Sequence, residues 1–440
     1  MKDTIDKYSQ NDQKLLHQKH NKVETVSRRQ FIKTSCIAAC GTVIGFPFVH
    51  AQNKIELRFL ANGVTFYKQI AEKAKQDLGI IVKLERAATS EEAMARAISR
   101  PNTIDFMDLD FGHIKSFMKM RMVKPLETSR LKYFDQYSSV FTKGSLGNRK
   151  LSQKGGAPIV NTYLTSPKRF KLTDKPTDWM AVVPTVFNAD TLGIRPDLIK
   201  RPIRNWSELL NPEFKGKAAI INIPHIGILD AAMAIESMGK YSYKDIGNMT
   251  RKEIDKTIEI LIAAKKNGQF FAMWNDFTQS VDLISSGKVV IQSMWSPAVT
   301  KVRQQGIPCI YQPLKEGFRG WCYGIALSRA VPNKRLDAVY DFLNWYQSGW
   351  VGAFLNRQGY YSSVPSTAQK FMKPYEWDYW MNGKPAENDI LSPDGIVIEK
   401  KGTVRDGGSF SNRIGNIAVW NTLMDESRYL LGKWREFVDA

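Results

Sequence analysis

Apolar positions along this chain recur with two periods, and the way the periods alternate predicts an α/β protein. Lys54 to Leu60 alternates as a strand, Thr65 to Leu78 has the spacing of an amphipathic helix stopped by Gly79, and Ile80 to Leu84 reads as a second strand. A helix over Ser90 to Ser99 follows, with Glu91 and Glu92 in its first turn, where the helix dipole favours acids. Thr103 to Leu109 reads as a short strand ahead of a loop at Phe111-Gly112-His113. Such alternation predicts a parallel sheet covered by helices.

The same pattern returns in the middle of the chain. Lys217 to Ile223 reads as a strand, Gly227 to Ser237 and Arg251 to Lys266 as helices, and Lys288 to Ser293 as another strand, which predicts a second α/β lobe. Beyond Pro332 an amphipathic helix is expected over Arg335 to Tyr346. Lys370 to Gly408 is polar with weak periodicity, and a last helix is expected around Ile414 to Phe437. No internal repeat or low-complexity tract is present.

The N-terminal segment reads as an address rather than as part of the fold. Ser27-Arg28-Arg29-Gln30-Phe31-Ile32-Lys33 precedes an apolar run from Ser35 to Phe48 and then Val49-His50-Ala51, a small-x-Ala cleavage pattern. This predicts a twin-arginine export signal over 1–51, export of a folded chain by the twin-arginine translocation machinery, a mature start at Gln52 and a periplasmic location. Two alternatives stand: a lipid on Cys40 after Ile37-Ala38-Ala39-Cys40, or a basic tail leading into a buried helix.

Composition narrows the function classes. The 440 residues leave room for several domains, and 43% hydrophobic with 24% charged residues describe a globular chain. Lys and Arg number 63 against 43 Asp and Glu, for +20; removing the eight basic and four acidic residues of 1–51 leaves +16. That surplus invites nucleic acid, anionic membrane or an acidic ligand, but no Lys/Arg run interleaved with aromatics occurs, so nucleic acid is not expected. Only His113 and His225 follow residue 51, and neither C-x-x-C nor H-E-x-x-H occurs, so no metal site or haem is expected. G-x-S-x-G, Walker and G-x-G-x-x-G patterns are missing too, and no cofactor is expected. S-x-x-K begins at Ser116, Ser129, Ser237 and Ser285, a recurrence that marks it as chance. Cys309 and Cys322 stay in the exported chain; a hairpin turning at Lys315-Glu316 would set them face to face as a disulfide, and the alternative is two buried thiols.

From Val183 onward the chain resembles a known family. The carrying stretches are Val183-Pro184-Thr185-Val186-Phe187, the run Asn205-Trp206-Ser207-Glu208-Leu209-Leu210-Asn211-Pro212-Glu213-Phe214-Lys215-Gly216-Lys217, and Ser286-Gly287-Lys288-Val289-Val290-Ile291-Gln292-Ser293-Met294-Trp295. In order and spacing they resemble the extracellular solute-binding proteins of ABC importers, and more closely the spermidine/putrescine-binding branch. Pro313-Leu314-Lys315-Glu316-Gly317 and Pro332-Asn333-Lys334-Arg335-Leu336-Asp337-Ala338 continue the pattern. The resemblance implies a two-lobed periplasmic-binding-protein fold of type II, with ligand taken between closing lobes and passed to a permease, and no catalysis. It implies a first lobe of 52–188 and 323–368, a second of 189–322 and 369–440, and hinges near Asn188, Tyr323 and Ser366. A monomer is expected. The alternatives in other classes are an exported twin-lobed enzyme and a sensory binding protein that docks on a receptor.

The resemblance also implies site residues. Trp295 and Trp321 fall on aromatic residues lining the family's cleft, and Phe111 and Tyr360 near others. The branch meets ammonium groups with carboxylates, yet the corresponding positions are Pro224, Gly227, Tyr323 and Ala298. Asp108, Asp110 and Asp276 are candidate replacements, although Asp in such places usually caps helices. In an extended segment Arg319, Trp321 and Tyr323 share a face, which offers a ligand a cation and a phenol around the Trp. An anionic or zwitterionic ligand is therefore expected, the alternative being a polyamine held by relocated carboxylates.

Overall fold

The computed structural model describes residues 55–61, 63–87, 90–151 and 156–440. Arg28-Arg29, Cys40 and the cleavage pattern at Ala51 lie outside the described residues. Among the described residues no helix is long and apolar enough to cross a membrane.

One sheet organises the chain. Across it lie Phe270–Trp274, Ala218–Ile221, Ile291–Met294, Val183–Ile194, Phe318–Ser328, Phe106–Asp110, Glu56–Ala61 and Ile81–Arg86. At one end Glu56–Ala61 runs parallel to both its neighbours; at the other Ala218–Ile221 does the same. These are the two α/β halves that the alternation predicts, with crossovers such as Lys68–Leu78 and Arg251–Lys266. Gly79, at φ 70, ends the first of those helices in a left-handed cap. A reciprocal Thr250 and Glu253 capping box starts the other.

The halves meet through two antiparallel strands of 12 and 11 residues, Val183–Ile194 and Phe318–Ser328. Every residue of the first is buried, so its sequence has no polar face and its length is invisible to a period-two test. This strand also divides the interior. Val183, Val186, Phe187 and Ala189 pack in one hydrophobic cluster with Phe59, Phe106 and Phe342, whereas Leu192 and Ile194 pack in another with Trp206, Ile220 and Leu229.

The structure departs from the sequence expectations in four places. The single helix around Ile414 to Phe437 is instead a short helix Phe410–Ile414, a strand Ile417–Trp420 parallel to Phe318–Ser328, and a helix Ser427–Asp439. The helix expected from Gly227 begins at Pro224, whose missing N–H is harmless in a first turn. Lys370 to Gly408 holds a small core of Tyr379, Trp380, Ala386 and Ile390, too irregular to show a period. Finally, the hairpin at Lys315-Glu316 does not form. Ile310–Gln312 and Phe318–Ser328 pair in succession with the same strand, Gln312 opposite Leu192 and Arg319 opposite Asp190, so Cys309 and Cys322 are not cross-strand partners. Both thiols are free and buried, and burial pushes Cys309 up to about 12 and Cys322 well above its ordinary value.

Candidate functional site

The junction between the two parallel halves gathers most of the candidate residues. Asn188 sits opposite Trp321 in the register of the long strands, and its side-chain amide donates to Ser296 Oγ and to the Gly359 carbonyl, each at 3.2 Å. One buried side chain thus ties the residue after Trp295 to the residue before Tyr360. Trp321 packs edge-on against Tyr323 at 5.7 Å and against Tyr360 at 5.6 Å, so these three rings form one aromatic cluster. Tyr323 and Trp321 share a strand face, as their spacing predicts. Trp295 packs instead on Trp274, edge-to-face at 4.8 Å, with part of its surface open. Phe111 is the first residue of the helix Phe111–Lys119 rather than a loop residue, and its ring is core, 5.8 Å from Phe141 and close beneath Gly324.

The carboxylates near these rings all have partners. Asp110 accepts from Gly112 N at 2.6 Å and caps Phe111–Lys119; Asp276 accepts from Gln279 N at 2.9 Å and caps Phe277–Ser285. Asp108 accepts the Thr65 hydroxyl at 2.5 Å. Gly227 shows why an acid is missing there: a Cβ would lie 2.4 Å from the Trp434 ring and 2.5 Å from the Ile221 carbonyl oxygen. The C-terminal helix fills the space that a carboxylate side chain at that position would need.

Arg319, expected to offer its charge to a ligand, is 1% exposed and fully engaged inside the protein. Its Nε donates to Asp230 at 2.8 Å, Nη1 to Asn421 at 2.8 Å and Nη2 to Asp190 at 3.3 Å. The pairing of Arg319 with Asp190 across the long strands turns the guanidinium inward, which sequence spacing cannot show. Burial raises both carboxyls against the pull of Arg319, Asp230 to about 6.

Sequence reasoning missed the cations that do face a cavity. Ser296, Thr300, Arg303, Gln358, Gly359 and Tyr379 line a cavity together with Glu399, Arg405, Asp406 and Arg413. It holds about 30 Å³ of free space, where one water needs roughly 10–15 Å³, so it admits two waters or one carboxylate-sized group. Two of its walls adjoin Trp295 and Tyr360 in sequence, and the rest comes from the polar C-terminal stretch. The available signal was three arginines far apart in sequence, Arg405 in that weakly patterned stretch and Arg303 and Arg413 outside it. His113 and His225, far apart in sequence and not in that lining, meet edge-to-face at 4.9 Å. No group of three or more metal-ligating side chains accompanies them among the described residues.

Comparison with known proteins follows the same outline. Residues 69–379 match the family described as bacterial extracellular solute-binding protein. No curated protein matches the chain. Among solved structures, the chain is similar to the spermidine/putrescine ABC transporter substrate-binding protein PotD of Streptococcus pneumoniae, at 12% identity and TM-score 0.57 over 87% of this chain and 99% of that one. It is similar to an ABC transporter substrate-binding protein of Bradyrhizobium japonicum at 14% and 0.59, over 87% and 99%. The binding protein AgtB of Agrobacterium tumefaciens R10, in complex with agropinic acid, is similar at 13% and 0.54, over 88% and 99%. At such identities the likeness establishes the fold, the mixed α/β fold of periplasmic binding proteins.

Proposed function

Since the chain belongs to the bacterial extracellular solute-binding proteins, we propose that it captures a small organic ligand bearing an anionic group, alone or in a zwitterion, between two closing lobes and passes it to the permease of an ABC importer. As a solute-binding protein it is a transport component and not an enzyme. The proposed lobes are 52–188 with 323–368, and 189–322 with 369–440, with hinges near Asn188, Tyr323 and Ser366. The division of the core between Ala189 and Leu192 supports the first of these crossings. Trp321, Tyr323 and Tyr360, packed edge to face, would form an aromatic wall for the ligand that draws on both lobes, with Trp295 as a further ring on the 189–322 lobe.

The observation that carries the ligand class is that Asp108, Asp110 and Asp276 are all engaged in hydrogen bonds within the protein. A ligand ammonium beside the aromatic cluster would have to share a carboxylate already bound to a hydroxyl or to a helix N-terminus. The pneumococcal relative is named for polyamines and the Agrobacterium relative holds agropinic acid; the engaged acids favour the second kind of chemistry for this chain. A thermal-shift screen of ligand-stripped protein against polyamines, amino acids, opine-like conjugates and simple carboxylates tests this, with calorimetry on hits. An anionic or zwitterionic hit is expected. Micromolar binding of spermidine or putrescine with no response to any anion would refute the ligand class.

A further inference from the structure

Arg405 and Arg413 differ from the other arginines around the junction: neither meets a side-chain carboxylate among the described residues. Arg319 is paired with Asp190 and Asp230, and Arg303 with Glu399 and Asp406. Arg405, 6% exposed, has no carboxylate partner among the described residues. Its Nη1 donates to the Tyr361 hydroxyl at 2.6 Å and the Trp380 carbonyl at 2.5 Å, and its Nη2 to the Gly359 carbonyl at 3.1 Å. The guanidinium lies over the Tyr361 and Trp380 rings, 4.7 Å from each. Burial pulls it down to about 10, so it stays charged at neutral pH.

Those bonds leave one edge of the fork, Nε–H with the second Nη2–H. Elsewhere in this protein that same edge grips a carboxylate: Arg58 on Asp105 at 3.0 and 2.8 Å, Arg195 on Asp197 at 2.9 and 2.7 Å, Arg357 on Glu376 at 2.8 Å twice. Arg413, 2% exposed and lining the same cavity, leaves its buried Nε without a partner. The Ser296 and Tyr379 side chains also line it.

We propose that this cavity is a subsite for one carboxylate of the captured solute, gripped side-on by Arg405, with the Ser296 and Tyr379 hydroxyls as further donors. Glu399 and Asp406, both held by Arg303, line the same cavity, and their charge opposes a phosphate dianion more than a singly charged carboxylate. Arg405 lies beyond residues 69–379 that match the family, so the gripping group comes from the C-terminal segment while Ser296 and Tyr379 come from the matched part. The proposal rests on the junction being the ligand cleft, and its test is independent of the natural ligand.

The probe is acetate, titrated into ligand-stripped protein whose arginine Nε–H signals are followed by nitrogen-edited NMR, with the Arg405 signal assigned from Arg405→Lys. A saturable shift at Arg405 with acetate, and none with acetamide or inorganic phosphate, is expected. For an anionic hit from the ligand screen, Arg405→Lys should weaken binding by about tenfold or more, because a lysine cannot reproduce the bidentate edge. An Arg405 signal indifferent to acetate, or a carboxylate ligand bound equally well by Arg405→Lys, overturns the subsite. Polyamines as the only ligands would remove the ligand class, and with it the role of the subsite in capture, even where acetate shifts the Arg405 signal.

Discussion

Asp230 is the residue whose chemistry most exceeds what its letter suggests. Its carboxyl is buried at the junction, bonded to Arg319 by one oxygen, and is pushed up to about 6. An unfolded Asp titrates near 4, so the folded state favours the protonated form. The stabilisation from holding that proton is complete below about pH 4 and is lost as pH rises through about 6. Asp230→Asn cannot titrate. The variant should therefore gain stability relative to the parent by about 2 kcal/mol between pH 4.5 and pH 7.5. Urea denaturation at the two pH values measures this, and parallel stability curves for the two proteins would sink it. Carboxylates held low by arginines, such as Asp105 beside Arg58, act equally in both proteins and cancel.

Among the elements, the helix Pro224–Ser237 shows how packing settles chemistry. The eleven residues from His225 to Ile235 are all buried, so the helix is enclosed on every side, between sheet and C-terminal helix. Gly227 lets the helix approach the Ile221 carbonyl and the Trp434 ring to distances that no side chain permits. Restoring an acid with Gly227→Asp should cost stability, about 1–3 kcal/mol or more, without creating polyamine affinity. Chemical denaturation and a spermidine titration check both halves of that statement. A variant as stable as the parent that binds spermidine would show that the site can open where the structure has it filled. The strand Ile417–Trp420 belongs to the same lesson: four residues pair beside Phe318–Ser328 and interrupt a segment whose spacing reads as one helix.

At the scale of the molecule, the buried network at the junction depends on complete folding. The junction network draws Asp190 and Arg319 from the two long strands, Asp230 from one half and Asn421 from the C-terminal segment, so it is complete only when distant parts of the chain have come together. We propose that export proceeds by the twin-arginine route, which carries chains already folded. Arg28→Lys combined with Arg29→Lys should then trap the precursor in the cytoplasm, as fractionation and blotting would show. An undiminished periplasmic yield would remove the assignment.

What the sequence determined by itself was whatever is encoded locally. Two-period alternation marks the strand and helix of each half, Gly79 stops a helix, Thr250 with Glu253 starts another, and the spacing of Trp321 and Tyr323 puts them on one face. The order of motifs from Val183 to Ala338 likewise revealed the family, because scaffold turns keep their spacing. Tertiary structure alone decided which charges remain available to a ligand. Arg319 looked free because an exposed strand position and one buried opposite Asp190 and Asp230 have the same local sequence. Arg405 looked unremarkable because the rings and carbonyls that hold it lie 25 to 46 positions away. Long-range electrostatics and packing depend on which elements meet, and the period of a segment carries no information about its distant neighbours.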